Sequence, residues 1–384
     1  MSHSAIHPRP AVVFVEDEQW ESFFQLAAIV RKAGFRTVRI SVGLIGWQAG
    51  DSLFDRNVSL SSLLSPQLLS DILLAEYIAD VQPTESLATT TYVGLDLLPA
   101  SSRSDIWKGR SLLLDKWKTS NALRNLGLRT PDTLLADVTS PRKAIEQFSL
   151  PIVLKRRVGS SGSNVGMFTS LESLQEFTAT LDSPDQWFYE RFIQGRSLVC
   201  ASCVSDDGID VIATYEVLKR TRLHGPSSVV EFQADARMAE SGRSVIEALN
   251  IRGLVCFDMI RDSDGVDWIH DVNPRVFEGL SMCQLAGFDF RGAYIRCLSG
   301  RGYIEPSRPP NPGSKMYGFP RGRRELFRSA PSGAAWVRTL QWLWRNWRLL
   351  GTRYFLIYTI KRPISSIQQN WKMSGIRRRA PSPH

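Results

Sequence analysis

The spacing of apolar and polar positions predicts a strand–helix–strand unit near the N-terminus. "AVVFVED" is typical of a buried strand, "EQWESFFQLAAIVRKAG" carries apolar residues at helical spacing as far as Gly34, and "FRTVRISVG" predicts a second strand. This order favours a parallel sheet, which we expect between about residues 10 and 100. A further helical pattern, "LLSDILLAEYIADVQPTES", is expected to end at Pro83.

The pattern changes near Ser104. "LLLDKWKTSNALRNLGLRTPDTLLAD" predicts a helix that ends at Gly127, followed by an X-Pro turn into a strand. "SLVCASCVSDDGIDVIATYEV" and "LVCFDMIRDSDGVDWIHDVN" each predict two strands joined by a tight turn, at "DDG" and "DSDG". From Arg301 to Gly322 the abundance of Pro, Gly and Arg indicates a linker or a wrapping loop.

Composition places the chain among globular proteins. With 384 residues, 43% apolar and 22% charged, it is long enough for two or three packed units. The N-terminal apolar run, Ala11 to Val15, is too short for a signal-peptide core, so we expect a protein that is not exported. Five cysteines are few and odd in number, which fits reduced thiols in a cytosol.

The net charge of +9 resides in the C-terminal tail. From Leu326 onward there are eleven Lys and Arg and no Asp or Glu, whereas the first 325 residues carry 36 basic and 38 acidic groups. Two interpretations of the tail have equal weight: an interfacial helix on anionic lipid, and a helix packed on the body or on a second subunit. Binding of nucleic acid is not expected, because no recognition motif is present. The predicted apolar stripe is Trp336, Leu340, Leu343, Trp347, Leu350, Tyr354 and Ile357, roughly opposite Arg338, Arg345 and Arg348.

A lysine followed by a glycine-rich segment is the first candidate for ligand binding. In "PIVLKRRVGSSGSNVGM" a predicted strand delivers Lys155, and small residues after it would let backbone N–H groups approach phosphate oxygens. The order of residues excludes the P-loop, and the glycine spacing excludes the dinucleotide fingerprint. A flexible hairpin connection is the alternative.

Acidic and amide side chains form the second candidate. If the turn of the last hairpin centres near Ser263–Gly265, Asp258 and Asp271 face each other across the ladder, and Asn273 shares the face of Asp271. Three such side chains suit a hard cation such as magnesium, and two facing carboxylates would repel each other without one. Two solvated acids on an exposed face are the alternative.

Three further stretches offer weaker signs of ligand binding. "WFYERFIQG" could hold a flat purine against its backbone, but an ordinary core strand with Glu190 pointing outward is the favoured interpretation of that stretch alone. Cys200 and Cys203 lack a second pair or a nearby histidine for zinc, and His270 is expected on the face opposite Asp271.

In chain order these stretches resemble the ATP-grasp superfamily of carboxylate–amine ligases, over about residues 105–300. The resemblance implies an α/β (α+β) fold. Its expected parts are an N-terminal parallel α/β pre-ATP-grasp domain (1–104), an ATP-grasp domain of two α+β subdomains (105–300), a Pro/Gly/Arg-rich linker (301–330) and a basic, Trp/Arg-rich amphipathic helical tail (331–384).

The resemblance also implies roles for particular residues. "LDKWKTSNAL" and "PIVLK" match the lysines that contact phosphates, "GSSGSNVG" the loop that closes over them, "ERFIQG" the hinge that reads adenine, and the two acids with "NPR" the metal and phosphate cluster. The implied residues are, for ATP, Lys116, Lys155, Gly159, Ser160, Ser161, Gly162, Ser163, Glu190, Phe192, Ile193 and Ser197; for Mg²⁺ or Mn²⁺, Asp258, Asp271 and Asn273; and for catalysis, Arg275 and Lys155.

Three positions depart from the family's pattern. Ser197 stands where the family commonly has an acid that meets the ribose, and Asp271 stands where it usually has the longer Glu. "LKRTRLHGPSSVVEFQAD" matches no substrate-specific pattern, so the acceptor stays open.

The resemblance implies an ATP-dependent ligase that makes an acylphosphate and passes the acyl group to an amine. We expect small-molecule carboxylate and amine substrates and a cytoplasmic protein, with attachment at the inner membrane face and homo-oligomerisation both left open. A phosphotransferase using the same nucleotide site is the nearest alternative. A non-catalytic nucleotide-binding module recruited by its tail is the alternative from another class.

Overall fold

The computed structural model describes part of the chain. The described residues are 11–16, 21–42, 53–60, 87–89, 112–113, 115–158, 165–220, 227–299 and 315–318, together with 333, 336–337, 340–341, 343–344 and 347–348. The predicted helix over "LLSDILLAEYIADVQPTES" and most of the glycine-rich segment lie outside them.

The N-terminal unit is a parallel sheet, as predicted. Strands β1 (Ala11–Glu16), β2 (Arg36–Val42), β3 (Arg56–Leu60) and β4 (Leu87–Thr89) lie in the order β3-β2-β1-β4, and helix α1 (Glu21–Lys32) connects β1 to β2. Arg39 is fully buried here, with its guanidinium 5.2 Å from the ring centroid of Phe24 and 5.5 Å from that of Phe54. The aromatic faces offset part of the cost of burying that charge.

A small antiparallel sheet follows, in the order β5-β8-β6-β7. Before it runs helix α2 (Lys116–Asn125), whose end at Gly127 (φ +76°) was predicted from the sequence. Helices α3 and α4 pack on this sheet through a compact apolar cluster that includes Phe148, Leu154 and Leu174. Its elements are β5 (Thr133–Leu135), α3 (Pro141–Phe148), β6 (Ile152–Arg156), β7 (Val165–Phe168), α4 (Leu171–Thr178) and β8 (Trp187–Arg191).

The largest sheet has six strands in the order β13-β12-β9-β10-β11-β14. Both predicted hairpins are present in it as antiparallel pairs, with Gly208 (φ +120°) and Gly265 (φ +76°) in their turns. The elements are β9 (Arg196–Ser205), β10 (Gly208–Arg220), β11 (Ser227–Phe232), α5 (Ala236–Ala248), β12 (Gly253–Arg261), β13 (Asp267–Asn273), α6 (Leu280–Leu285), α7 (Phe290–Ser299) and β14 (Lys315–Tyr317).

Both faces of the large sheet are covered. One face packs with α6 and α7 and with the N-terminal unit in a single core that contains Phe14, Phe24, Val230 and Phe290. The other face packs with α5 and with Leu123 of α2. The two cores hold the parallel unit and α2 against the large sheet, which fixes Lys116 opposite β13.

Two sequence interpretations are settled by the strands. Cys200 lies in the core on one face of β9 and Cys203 in the core on the other, so the pair cannot share a zinc ion, as expected. The segment interpreted as a linker or wrapping loop contains β14, which pairs with β11, so at Lys315–Tyr317 that interpretation is wrong. A three-residue strand among Pro and Gly leaves no periodicity to recognise.

The C-terminal tail is described at nine positions between residues 333 and 348, each of which is helical. Trp336 and Leu343 are half-buried, whereas Leu340 and Trp347 of the same predicted stripe are exposed. Leu350, Tyr354 and Ile357 lie outside the described residues. Within the described part of the chain, no helix has the length and apolar content needed to cross a membrane.

Candidate active site

Lys155 and Glu190 lie side by side on the small sheet. Strands β6 and β8 are neighbours, and the Lys155 Nζ to Glu190 Oε1 distance is 2.6 Å, with each side chain 7% exposed. Burial raises the pKa of Glu190, although the ammonium of Lys155 opposes the shift. Glu190 therefore does not point outward, and the core-strand interpretation is wrong on this point.

Asp258, Asp271 and Asn273 converge on the last hairpin. The β12–β13 register pairs Asp258 with Asp271, which confirms the prediction from the turn. Asn273 Nδ2 donates to Asp258 Oδ2 at 3.0 Å and lies 3.5 Å from Asp271 Oδ2. Two carboxylates and an amide thus share one face at the end of the strand.

Lys116 joins α2 to this hairpin. It is the first residue of the helix, and its Nζ contacts both carboxylate oxygens of Asp271. The side chains of Lys116 and Asp271 are 11% and 21% exposed. Lys155 reaches the same strand, because its Nζ donates to the backbone carbonyl of His270 at 3.2 Å. The two lysines predicted for phosphate therefore meet at consecutive residues of β13.

Arg220 and Arg275 bring further positive charge. Arg220 lies 3.9 Å from Asp258 Oδ1 and donates to Ser197 Oγ at 2.7 Å. Arg275 donates to Asn273 Oδ1 at 2.9 Å and to the carbonyl of Val276 at 3.0 Å. Ser197, predicted near the ribose, is thereby linked to the carboxylate cluster. Arg220 was missed because it lies in a stretch that matched no pattern.

The electrostatics distinguish the two facing acids. Burial raises the pKa of Asp258, with Arg220 opposing the shift. For Asp271 burial also acts upward, but the charges of Lys116 and Lys155 outweigh it and lower the pKa below its usual value. The sequence argument that the facing acids need an added cation is wrong, because Lys116 and Arg220 already supply positive charge beside them.

The donor set nevertheless fits magnesium. A hard cation takes carboxylate and amide oxygens and fills its remaining positions with phosphate and water. Within the described residues no three His, Cys, Asp or Glu side chains lie together, so a cation at Asp258 and Asp271 would need the oxygen of Asn273. The Asn273 amide directs its nitrogen to the acids and its oxygen to Arg275. Rotating the amide group by 180° would direct the oxygen to the acids instead.

The start of α2 is held by a junction with β6. Asp115 caps the helix by accepting from the backbone N–H groups of Trp117 and Lys118, both at 3.1 Å. Arg157 donates to Asp115 Oδ2 from Nε at 3.0 Å, and its carbonyl accepts from the N–H of Lys116 at 2.8 Å. The junction fixes Lys116 relative to the strand that carries Lys155. The predicted phosphate-loop residues Gly159, Ser160, Ser161, Gly162 and Ser163 lie outside the described part.

The hinge between the sheets includes Phe192 and Ile193, which are half-buried directly after β8. Gly195 follows, and a Cβ built there would lie 2.1 Å from the carbonyl oxygen of Arg261. Any larger residue at this position would have to move the backbone. The glycine of "ERFIQG" therefore allows the close crossing of the hinge over β12.

Comparison with known proteins assigns a family to the part of the chain that carries these residues. Residues 113–278 match the sequence model of the ATP-grasp domain family, and this part of the chain is an ATP-grasp domain. D-alanine–D-alanine ligase from Chromohalobacter salexigens is 25% identical over 214 residues, which are 49% of this chain and 65% of the relative. The chain thus spans less than two thirds of that relative's length.

Solved structures share the fold over most of the chain. The ADP complex of N5-carboxyaminoimidazole ribonucleotide synthetase superposes with a TM-score of 0.64 at 14% identity, covering 80% of this chain and 81% of that one. L-amino acid ligase from Bacillus licheniformis superposes with a TM-score of 0.57 at 16% identity, covering 79% and 78%. At these identities the likeness concerns the fold.

Proposed function

We propose that this protein is an ATP-dependent ligase that activates a carboxylate as an acylphosphate and joins it to an amine. The observation that carries the proposal is the single charged network of the site. Lys155 and Glu190 of the small sheet meet Asp258, Asp271 and Asn273 of the large sheet, with Lys116 between them. The similarity to D-alanine–D-alanine ligase supports the same class of reaction.

ATP would lie between the two sheets. We assign its phosphates to Lys116, Lys155 and the segment from Gly159 to Ser163. The adenine edge is assigned to Glu190 and to the backbone at Phe192 and Ile193, and the ribose side to Ser197. Asp258, Asp271 and Asn273 would hold Mg²⁺ or Mn²⁺, which would offset negative charge on the phosphates when bound.

The reaction proceeds in two steps. A carboxylate oxygen of the substrate attacks the γ-phosphorus of ATP; a new O–P bond forms as the bond to the ADP oxygen breaks, and Lys155 stabilises the transferring phosphoryl group. An amine then attacks the acyl carbon and phosphate leaves, while the amine proton passes to solvent or a base. We assign Arg275 to the substrate carboxylate, which its planar guanidinium could bind through two hydrogen bonds.

The domain boundaries and cellular location belong to the same proposal. We divide the chain into a pre-ATP-grasp domain (1–104), the ATP-grasp domain (105–300), a connecting segment (301–330) and the tail (331–384). All five cysteines lie in the described part of the chain and none of them forms a disulfide there, which supports a reducing compartment such as the cytoplasm, where ATP is also supplied.

The test is ATP turnover of the full chain with pools of carboxylates and amines, followed by mass analysis of the products. We expect ADP, phosphate and a new amide in equal amounts, and none of them without both substrates. The Lys155→Met protein gives the background. A phosphorylated product without free phosphate would assign a phosphotransferase instead. ATP binding without turnover in every pool would favour a non-catalytic module.

A further inference from the structure

The described part of the tail presents an exposed apolar stripe. Its members are Val337, Leu340, Trp344 and Trp347, which are 53%, 59%, 54% and 44% exposed. At 3.6 residues per turn they fall within an arc of about 80° on a helix. Of the nine large apolar side chains that are exposed in the described residues, these four share one helical face, and the remaining five are scattered. We call this surface the tail stripe.

The tail stripe lies beside the half-buried side of the helix. Trp336 and Leu343, adjacent to it on the helix, are the half-buried positions. At the far end, Lys32 Nζ of α1 lies 3.5 Å from the carbonyl oxygen of Arg348. The helix thus approaches the N-terminal unit at Arg348, while the four side chains of the tail stripe stay about half exposed or more. Isolated exposed apolar residues are ordinary, but a contiguous group containing two Trp indicates an interaction surface.

Charge identifies the partner. From Leu326 to His384 the chain has eleven basic residues and no acidic one. Next to the stripe, the guanidinium of Arg348 lies 4.8 Å from the ring centroid of Trp344, so a cation accompanies the exposed aromatic face. A second copy of the chain would bring an equally basic tail to the contact, which is unfavourable. An anionic surface that also accepts apolar side chains suits the segment better.

We propose that the tail stripe binds an anionic lipid surface, with Leu340 and Trp344 entering the headgroup region. Trp prefers this region because its ring is apolar and its N–H can still donate. Basic side chains along the segment attract the anionic headgroups over the screening length of the solution. The proposal goes beyond the ligase activity and does not depend on it.

The test is co-sedimentation of the full chain with vesicles of phosphatidylcholine alone or mixed with phosphatidylglycerol. We expect binding to the mixed vesicles, weaker binding at high ionic strength, and little binding to phosphatidylcholine alone. The double variant Leu340→Gln/Trp344→Gln, which leaves the charge unchanged, is expected to lower the partition coefficient by about tenfold or more. The matched control Val138→Gln/Met167→Gln removes two exposed apolar side chains in and near the small sheet and should bind as the wild type does.

Two results would overturn the proposal. One is that the wild type fails to bind anionic vesicles at low ionic strength, or that the double variant binds them equally well. The other is a wild-type dimer in light scattering that the double variant dissociates, without vesicle binding, which would assign the stripe to a second copy. Circular dichroism of each variant verifies that it is folded, and ATP binding verifies that the body is intact.

Discussion

Replacing Lys116 by methionine is expected to lower ATP turnover about 100-fold while tightening the binding of Mg²⁺ in the absence of nucleotide. The turnover falls because a cation at the phosphates is lost. In the wild-type protein Lys116 pairs with Asp271, so the lysine and the metal compete for one carboxylate. Removing the lysine ends this competition, and Mg²⁺ alone binds more tightly. At an effective dielectric constant of about 20, two opposite charges this close attract each other by a few kcal/mol. Removing the competing lysine should therefore raise the affinity for Mg²⁺ by about tenfold or more.

The two opposite effects make this variant informative. Lys118 lies on the same helix and is exposed, so Lys118→Met is the matched control and should change neither quantity. Binding of Mg²⁺ is measured by calorimetry without nucleotide, and turnover by release of ADP. A Lys116→Met protein that turns over slowly but binds Mg²⁺ no more tightly would contradict the competition between the lysine and the metal.

Asp271→Asn is expected to reduce Mg²⁺-dependent ATP turnover by about three orders of magnitude and to abolish binding of Mg²⁺ alone. The amide keeps the size of the side chain but removes the carboxylate whose pKa the two lysines hold low. Since Lys116 also loses its ionic partner, the free energy of unfolding should fall, by at most about 3 kcal/mol because the pair is partly exposed.

Asp264 provides the control for this experiment. It lies exposed in the turn of the same hairpin, and Asp264→Asn should leave turnover and Mg²⁺ binding unchanged. Urea unfolding of both variants separates the loss of stability from the loss of function. Unchanged Mg²⁺-dependent turnover in Asp271→Asn would show that the metal site lies elsewhere.

Local patterns predicted the elements that hold the site. Asp258 and Asp271 could be paired from the sequence because a hairpin with a short turn fixes its own register. The end of α2 at Gly127 was likewise set by a residue that adopts positive φ without strain. These features depend on neighbours within about twenty residues along the chain.

Contacts between distant segments could not be predicted in this way. The partner of Lys116 depends on how α2 packs against β13, and that of Glu190 depends on the pairing of β6 with β8; no spacing in the sequence encodes either contact. Arg157 reaches Asp115 across 42 positions, and β14 joins the sheet edge far from its partner β11. In the tail, periodicity predicted an apolar helix, but which side chains are half-buried is decided by the body.

In the proposed reaction the terminal phosphoryl group of ATP is transferred to a carboxylate, and an amine then displaces phosphate from the acyl carbon. Labelling the carboxylate substrate with oxygen-18 tests this directly, because the attacking carboxylate oxygen stays with the phosphate when the amide forms. We predict one labelled oxygen in each phosphate molecule released, with ADP as the other nucleotide product. Unlabelled phosphate, or AMP with pyrophosphate, would contradict the account.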